Sequence, residues 1–100
     1  MQAPRPHKSD PTRATDVADA ARQRDAVQRA FGAVLRRLRD DHQMSQEDLA
    51  AESGVGRSFI ARMETGKRQP TITTLVRLAK AFGVAPSAIM AAVEQEGGGF

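Results

Sequence analysis

Residues 45–70 read SQEDLAAESGVGRSFIARMETGKRQP, two short helix-forming runs with Gly54 between them and a basic segment behind. This stretch constrains the fold more than any other. Two helices that cross at ~90–120° over a turn of about three or four residues have three requirements. A small residue must sit where the backbones nearly touch, and Ala50 suits that place. A residue tolerant of positive φ must make the turn, and Gly54 does so at little cost. Apolar side chains must hold the second helix to the first and to a core. Leu49, Val55, Ile60 and Met63 are spaced to do this.

The ends of these runs are marked. Ser45 is a good N-cap, and Asp48 sits three residues on, as in a capping box, although Asp reaches less far than the usual Glu. Glu47 and Asp48 also suit the positive end of the helix dipole. Gly56 opens the next helix, Arg57 to about Glu64, without offering a side-chain oxygen, and Thr65-Gly66 stops it. A connector, Lys67-Arg68-Gln69-Pro70, follows. Thr71 caps a further helix whose Ile72, Leu75, Val76, Leu78, Ala79 and Phe82 form a broad apolar face, ended by Gly83. Pro86 suits the first turn of a last helix carrying Ile89, Met90 and Val93.

Upstream, Phe31, Val34, Leu35 and Leu38 recur at helical spacing, with Arg36, Arg37 and Arg39 between them. This helix is expected from about Ala20. Val17, Ala20, Ala21 and Val27 can carry it further, toward Thr15, as an N-terminal extension. Residues 1–19, with Pro4, Pro6 and Pro11, are expected to form a flexible arm, and 95–100 a tail. Residues 20–94 then make one all-α domain of five helices. Its core is expected to hold Phe31, Leu35, Leu38, Leu49, Ile60, Leu75, Leu78 and Phe82. Phe59 is expected to be partly buried, since full exposure of a Phe is costly.

Composition narrows the function. A chain of 100 residues has room for one domain. It has no Cys, so a disulfide framework and a thiolate zinc site are excluded, and His7 and His42 alone do not suggest a metal. No apolar run approaches the ~20 residues that span a bilayer. The opening MQAPRPHKSDPT lacks the apolar segment of a signal peptide, which makes a cytoplasmic location the default expectation. Asp40, Asp41, His42 and Glu47 sit at helix ends without a nucleophile–base pairing or a Gly-rich loop. Neither an enzyme nor a cofactor is expected. His42 is read as a residue that complements or caps the end of the first helix. A net charge of +3 is compatible with a polyanion partner and is weak evidence alone.

Three segments, SQEDLA, SGVGRSFIARMETGKRQP and LVRLAKAFGV, together resemble the Cro/cI-type (lambda-repressor-like, XRE-type) helix-turn-helix family over roughly residues 27–93. The resemblance implies a five-helix domain whose third helix enters the DNA major groove. It departs from the pattern at Ser53, where the family usually has an apolar residue, and at Gly56, which replaces the usual Ser or Thr cap. Beside this motif, Arg57, Ser58 and Arg62 on the outer face of the third helix are candidates for base contact. Each arginine can grip guanine O6 and N7 with a planar fork, although outside such a motif the same charges would read as a solvated face. Gln46, Gly56, Thr65, Lys67 and Arg68 are candidates for the DNA backbone. The family pattern further implies a structural salt bridge from Arg39 to Glu64. In the arm, Arg5, Lys8 and Arg13 are available to DNA, but a terminus without contacts is the plainer reading.

The function expected is a sequence-specific regulator of transcription, most simply a repressor that binds double-stranded DNA as a homodimer. Ile89, Met90 and Val93 are the candidate dimer contacts, although the same residues suit a plain core. An antitoxin with a toxin partner, or the controller of a restriction system, would use the same domain. A helical protein-interaction module without DNA binding is the alternative of another class.

Overall fold

The computed structural model describes the backbone from Arg13 and the side chains from Asp16 through to Phe100. Among the described residues the chain is all-α, with five helices: α1 (Arg13–Asp41), α2 (Gln46–Ser53), α3 (Arg57–Glu64), α4 (Ile72–Phe82) and α5 (Pro86–Glu96). Most of the expected flexible arm, residues 1–12 with Arg5 and Lys8, lies outside the described residues.

Two expected boundaries are corrected. Helix α1 runs from Arg13, so the extension upstream of Ala20 is helical and reaches past Thr15, and residues 13–19 are not part of an arm. Ala14, Ala18, Ala20 and Ala21 favour helix without needing a packing partner, and Asp16 lies in the first turn beside the positive dipole end. An Asp19–Arg22 ion pair one turn apart adds to this. At the other end α5 runs to Glu96, two residues into the expected tail, and the exposed Glu96 carboxylate pairs with Arg37 of α1.

Short-range signals set the middle helices. Ser45 and Asp48 form a full capping box: the Asp48 amide donates to Ser45 Oγ at 3.0 Å, and the Ser45 amide donates to Asp48 Oδ2 at 2.9 Å. The shorter Asp therefore closes the box. The Ser45 backbone amide first, and the Ser45 hydroxyl after it, hold the Asp48 carboxyl below its usual range. Gly54 ends α2 at φ 73°, a left-handed conformation that an L side chain resists. Ser53 also serves this turn. Its hydroxyl donates to the Leu49 carbonyl at 2.6 Å and accepts from the Val55 amide at 3.1 Å, so the turn is tied by a polar side chain where the family pattern has an apolar one.

The core lies where α1 packs on α3 and α5 while α2 packs on α3 and α4. Phe31, Val34, Leu35, Leu49, Ile60, Met63, Leu78, Ala79 and Val93 are among its buried members, and Leu38 lies at its edge, partly buried. Close approach of α1 to the end of α3 depends on Gly32. A Cβ there would lie 2.4 Å from the Met63 carbonyl oxygen and 3.0 Å from that of Glu64.

The apolar face of α4 is narrower than expected. Leu75, Leu78, Ala79 and Phe82 are buried, but Ile72 is 82% exposed and Val76 47% exposed. Ile72 and Val76, four residues apart, form a separate stripe that the packing against α2 and α5 leaves uncovered. The expected dimer residues divide in the same way. Ile89 and Val93 are buried in the chain's own core, in line with the plain-core alternative, and Met90 stays half-exposed.

Candidate nucleic-acid interface

Helix α3 has two distinct faces. Inward, Ile60, Met63 and Glu64 are buried; outward, Arg57, Ser58 and Arg62 are exposed. The three candidate base-reading residues therefore share an open surface. Gly56, at the N-cap with φ −60° and ψ 140°, is exposed and uncrowded, since a Cβ there meets nothing within 4 Å.

A polar network fixes this helix from behind. Glu64 is 6% exposed. Arg39 grips its carboxylate with a fork, Nε to Oε2 at 2.8 Å and Nη2 to Oε1 at 3.0 Å, and Arg39 Nη1 also donates to the Met44 carbonyl at 2.9 Å. Arg36 donates to the Glu64 backbone carbonyl at 3.0 Å. Burial pushes the Glu64 carboxyl up. The hydrogen bonds from Arg39 and Gln46 and the charges of Arg39 and Arg36 outweigh this and hold it below the usual carboxylate range. The same pairing raises Arg39. This geometry joins the end of α1, the start of α2 and the end of α3 at one buried carboxylate. Arg36 had no assigned role in the sequence; its signal was a position one turn before Arg39 on the same helix.

Gln46 connects the buried network to the surface. Its Nε2 donates to Glu64 Oε1 at 3.1 Å, and its Oε1 accepts from Arg57 Nη1 at 3.3 Å. Arg57 Nε also lies 3.3 Å from Glu47 Oε1 in an exposed pair. The first outward arginine is thus oriented by α2.

The segment after α3 is basic and held in place. Lys67 and Arg68 are exposed, and the Lys67 amide donates to the Arg62 carbonyl at 3.0 Å. The Thr65 hydroxyl points back to the Arg62 and Ala61 carbonyls at 3.1 and 3.3 Å, so contact with a phosphate would require it to rotate away. Phe59 is half-buried, with the Arg68 guanidinium 5.9 Å from its ring centroid. His42 ties the C-terminal ends of α1 and α4: Nδ1 lies 2.9 Å from the Leu38 carbonyl, Nε2 lies 3.1 Å from the Phe82 carbonyl, and the ring packs on Phe82. Among the described residues, no group of three or more acidic, His or Cys side chains could hold a metal, and no single helix is long and apolar enough to cross a membrane.

The family model described as "Helix-turn-helix" matches residues 35–89. An uncharacterized HTH-type transcriptional regulator of Sinorhizobium fredii is 36% identical over 58 residues, which cover 58% of this chain and 75% of the relative. The restriction-modification controller protein C.AhdI from Aeromonas hydrophila is 35% identical with a TM-score of 0.60, over 62% of this chain and 94% of that one. The controller protein C.Esp1396I, solved as a tetramer with its natural 35 base-pair operator, is 27% identical with a TM-score of 0.65, over 71% and 93%. The matched segment contains α2, the Gly54 turn, α3 and the buried Arg39–Glu64 network, and on this combined ground the chain belongs to the helix-turn-helix family of the Cro/cI (XRE) type.

Proposed function

We propose that this protein is a sequence-specific DNA-binding regulator of transcription, a repressor in the simplest case, that lays α3 in the major groove. One observation carries the reading. The exposed face of α3 holds Arg57, Ser58 and Arg62, while its opposite face is locked by a buried carboxylate network. In such a complex Arg57 and Arg62 read base edges and Ser58 donates to a base or a phosphate. Gln46, Gly56, Thr65, Lys67 and Arg68 follow the backbone, adding affinity without sequence choice. One domain of this size makes few contacts, so a homodimer on a nearly palindromic site is the working unit, with half-sites ~34–36 Å apart. Of the three residues expected at the dimer contact, Met90 remains available. With Ile72, Leu75 and Val27 it lines an apolar groove that suits a second copy. The cytoplasmic location expected from the sequence goes with this role.

The test is selection of bound duplexes from a random pool, followed by affinity measurements on Arg57→Ala and Arg62→Ala. The expected result is a defined site whose recognition weakens in both variants while the fold persists. A protein that ignores every duplex at low ionic strength, or double charge reversal at Arg57 and Arg62 without effect, would overturn the reading in favour of a protein-interaction module. The likeness to C.AhdI and C.Esp1396I favours a second, narrower reading, control of a restriction-modification system. That reading requires the selected site to lie ahead of restriction-modification genes.

A further inference from the structure

Beside the α3–α4 connector lies an open cleft of about 580 Å³ whose α1 wall has no part in the roles above. Arg24, Asp25 and Gln28 of α1 form one wall, and Lys67, Arg68 and Gln69 form the other. Its lining carries three cationic side chains, Arg24, Lys67 and Arg68, and one carboxylate, Asp25. The cleft exists because α1 continues well upstream of the core, and because the connector is fastened to it. Gln28 Nε2 donates to the Gly66 carbonyl at 3.1 Å, and Gly66, at φ 74°, sits close enough to Arg29 that a Cβ would come within 3.2 Å of its side chain.

We propose that Arg24, on the upstream extension of α1, forms with Lys67 and Arg68 a clamp for a phosphate of the DNA backbone, outside the bases read by α3. The inference rests on the DNA-binding reading and adds to it a contact from a different element. The connector with Lys67 and Arg68 directly follows the reading helix, so a cation facing it across a cleft flanks the same strand. Arg24 is free to engage. Its side chain is 56% exposed, and its partner is its exposed neighbour Asp25, with Nη2 3.3 Å from Oδ1. An exposed pair of that kind contributes little and exchanges readily for a phosphate, which accepts two parallel bonds from a guanidinium. The cleft is polar and open, which suits a backbone passing through and not an enclosed small molecule. Asp25 opposes the anion, so its removal should act in the direction opposite to removal of Arg24.

The test uses the full chain and a duplex selected with the wild type, with affinity measured against salt. Arg24→Ala should weaken binding to the selected and to random duplexes by the same factor. Its plot of log affinity against log salt should be shallower by about 0.9 per bound chain, which means an affinity loss about 3.5-fold smaller on going from 50 to 200 mM salt. Asp25→Asn should tighten binding to both duplexes. Both side chains are exposed, and unchanged thermal unfolding of each variant excludes a folding defect. An Arg24→Ala variant with the wild-type affinity and slope, alongside a Lys67→Ala variant whose slope does fall, would sink the clamp and leave the DNA-binding reading standing. A loss confined to the selected duplex with an unchanged slope would also sink it, since a backbone contact carries no sequence choice. If the wild type binds no duplex, the functional reading falls and takes the clamp with it.

Discussion

The two faces of α3 carry similar chemistry and use it in opposite ways. Inward, the charge is enclosed: Glu64 is 6% exposed, its carboxylate is satisfied by Arg39 and Gln46, and Arg36 holds its backbone carbonyl. Outward, Arg57 and Arg62 lie in solvent, where a pair such as Arg57–Glu47 is weakly held. A buried charge stripped of its partners is costly, so the inner face sets the angle of the helix against α1 and α2. An exposed charge loses little when it changes partner, so the outer face is available to a ligand. Gln46 touches both sides, with one amide atom on Glu64 and the other facing Arg57.

This contrast can be broken by substitution, and the largest effects belong to the inner face. Arg39→Ala should destabilise the fold by about 3–5 kcal/mol in urea unfolding, because it leaves Glu64 charged and buried. A loss under about 1 kcal/mol would place the inner pair in the same class as a surface pair. Gly32→Ala should follow at about 1–3 kcal/mol, since its new methyl group meets the carbonyls of Met63 and Glu64 and pushes α1 from α3. Equal melting temperatures for that variant and the wild type would show that the two helices can part without penalty.

On the outer face the balance reverses. Arg62→Ala should leave unfolding within about 0.5 kcal/mol of the wild type, as for a surface substitution. It should also remove about 1–3 kcal/mol of discrimination at one base pair of the selected site. A variant that loses stability and keeps its base preference would invert the comparison.

The mildest prediction is a pH dependence. The folded Glu64 carboxyl lies below its ordinary value of 4.5, so its contribution to stability is complete above about pH 4.5. It is lost as pH falls through the folded value. Acid unfolding of the wild type should steepen in that window, and Glu64→Gln should be less stable at neutral pH with a flatter acid limb. Parallel acid limbs in the two proteins would assign the effect to other carboxylates.

Much of the fold and part of the site were legible in the sequence, for reasons that differ from residue to residue. The Ser45 box, the left-handed Gly54, the Thr71 cap and Pro86 at the start of α5 all act within about four residues, so their meaning is local. The upstream extension of α1 is legible but its start is not, because alanines that form helix without packing leave no apolar stripe to mark where it begins. Periodicity gave α4 too wide a buried face, because it marks Ile72 and Leu75 as equally apolar and says nothing about where a neighbouring helix stops. The same limit separated Ile89 and Val93, now core, from Met90. No motif at Arg36 or Arg24 in the sequence marks either one out from an ordinary surface arginine. The first is placed by a carbonyl 28 residues away, and the second faces a connector more than 40 residues on in the chain.

By itself the sequence determined the number and order of the helices, the sharp turn between α2 and α3, and the type of side chain carried by each. These follow from backbone preferences and capping bonds that span one helical turn. Only the tertiary structure decided how deeply each charge is enclosed and which neighbours satisfy it. That choice depends on desolvation, and desolvation is set by helices far apart in the chain meeting around Glu64.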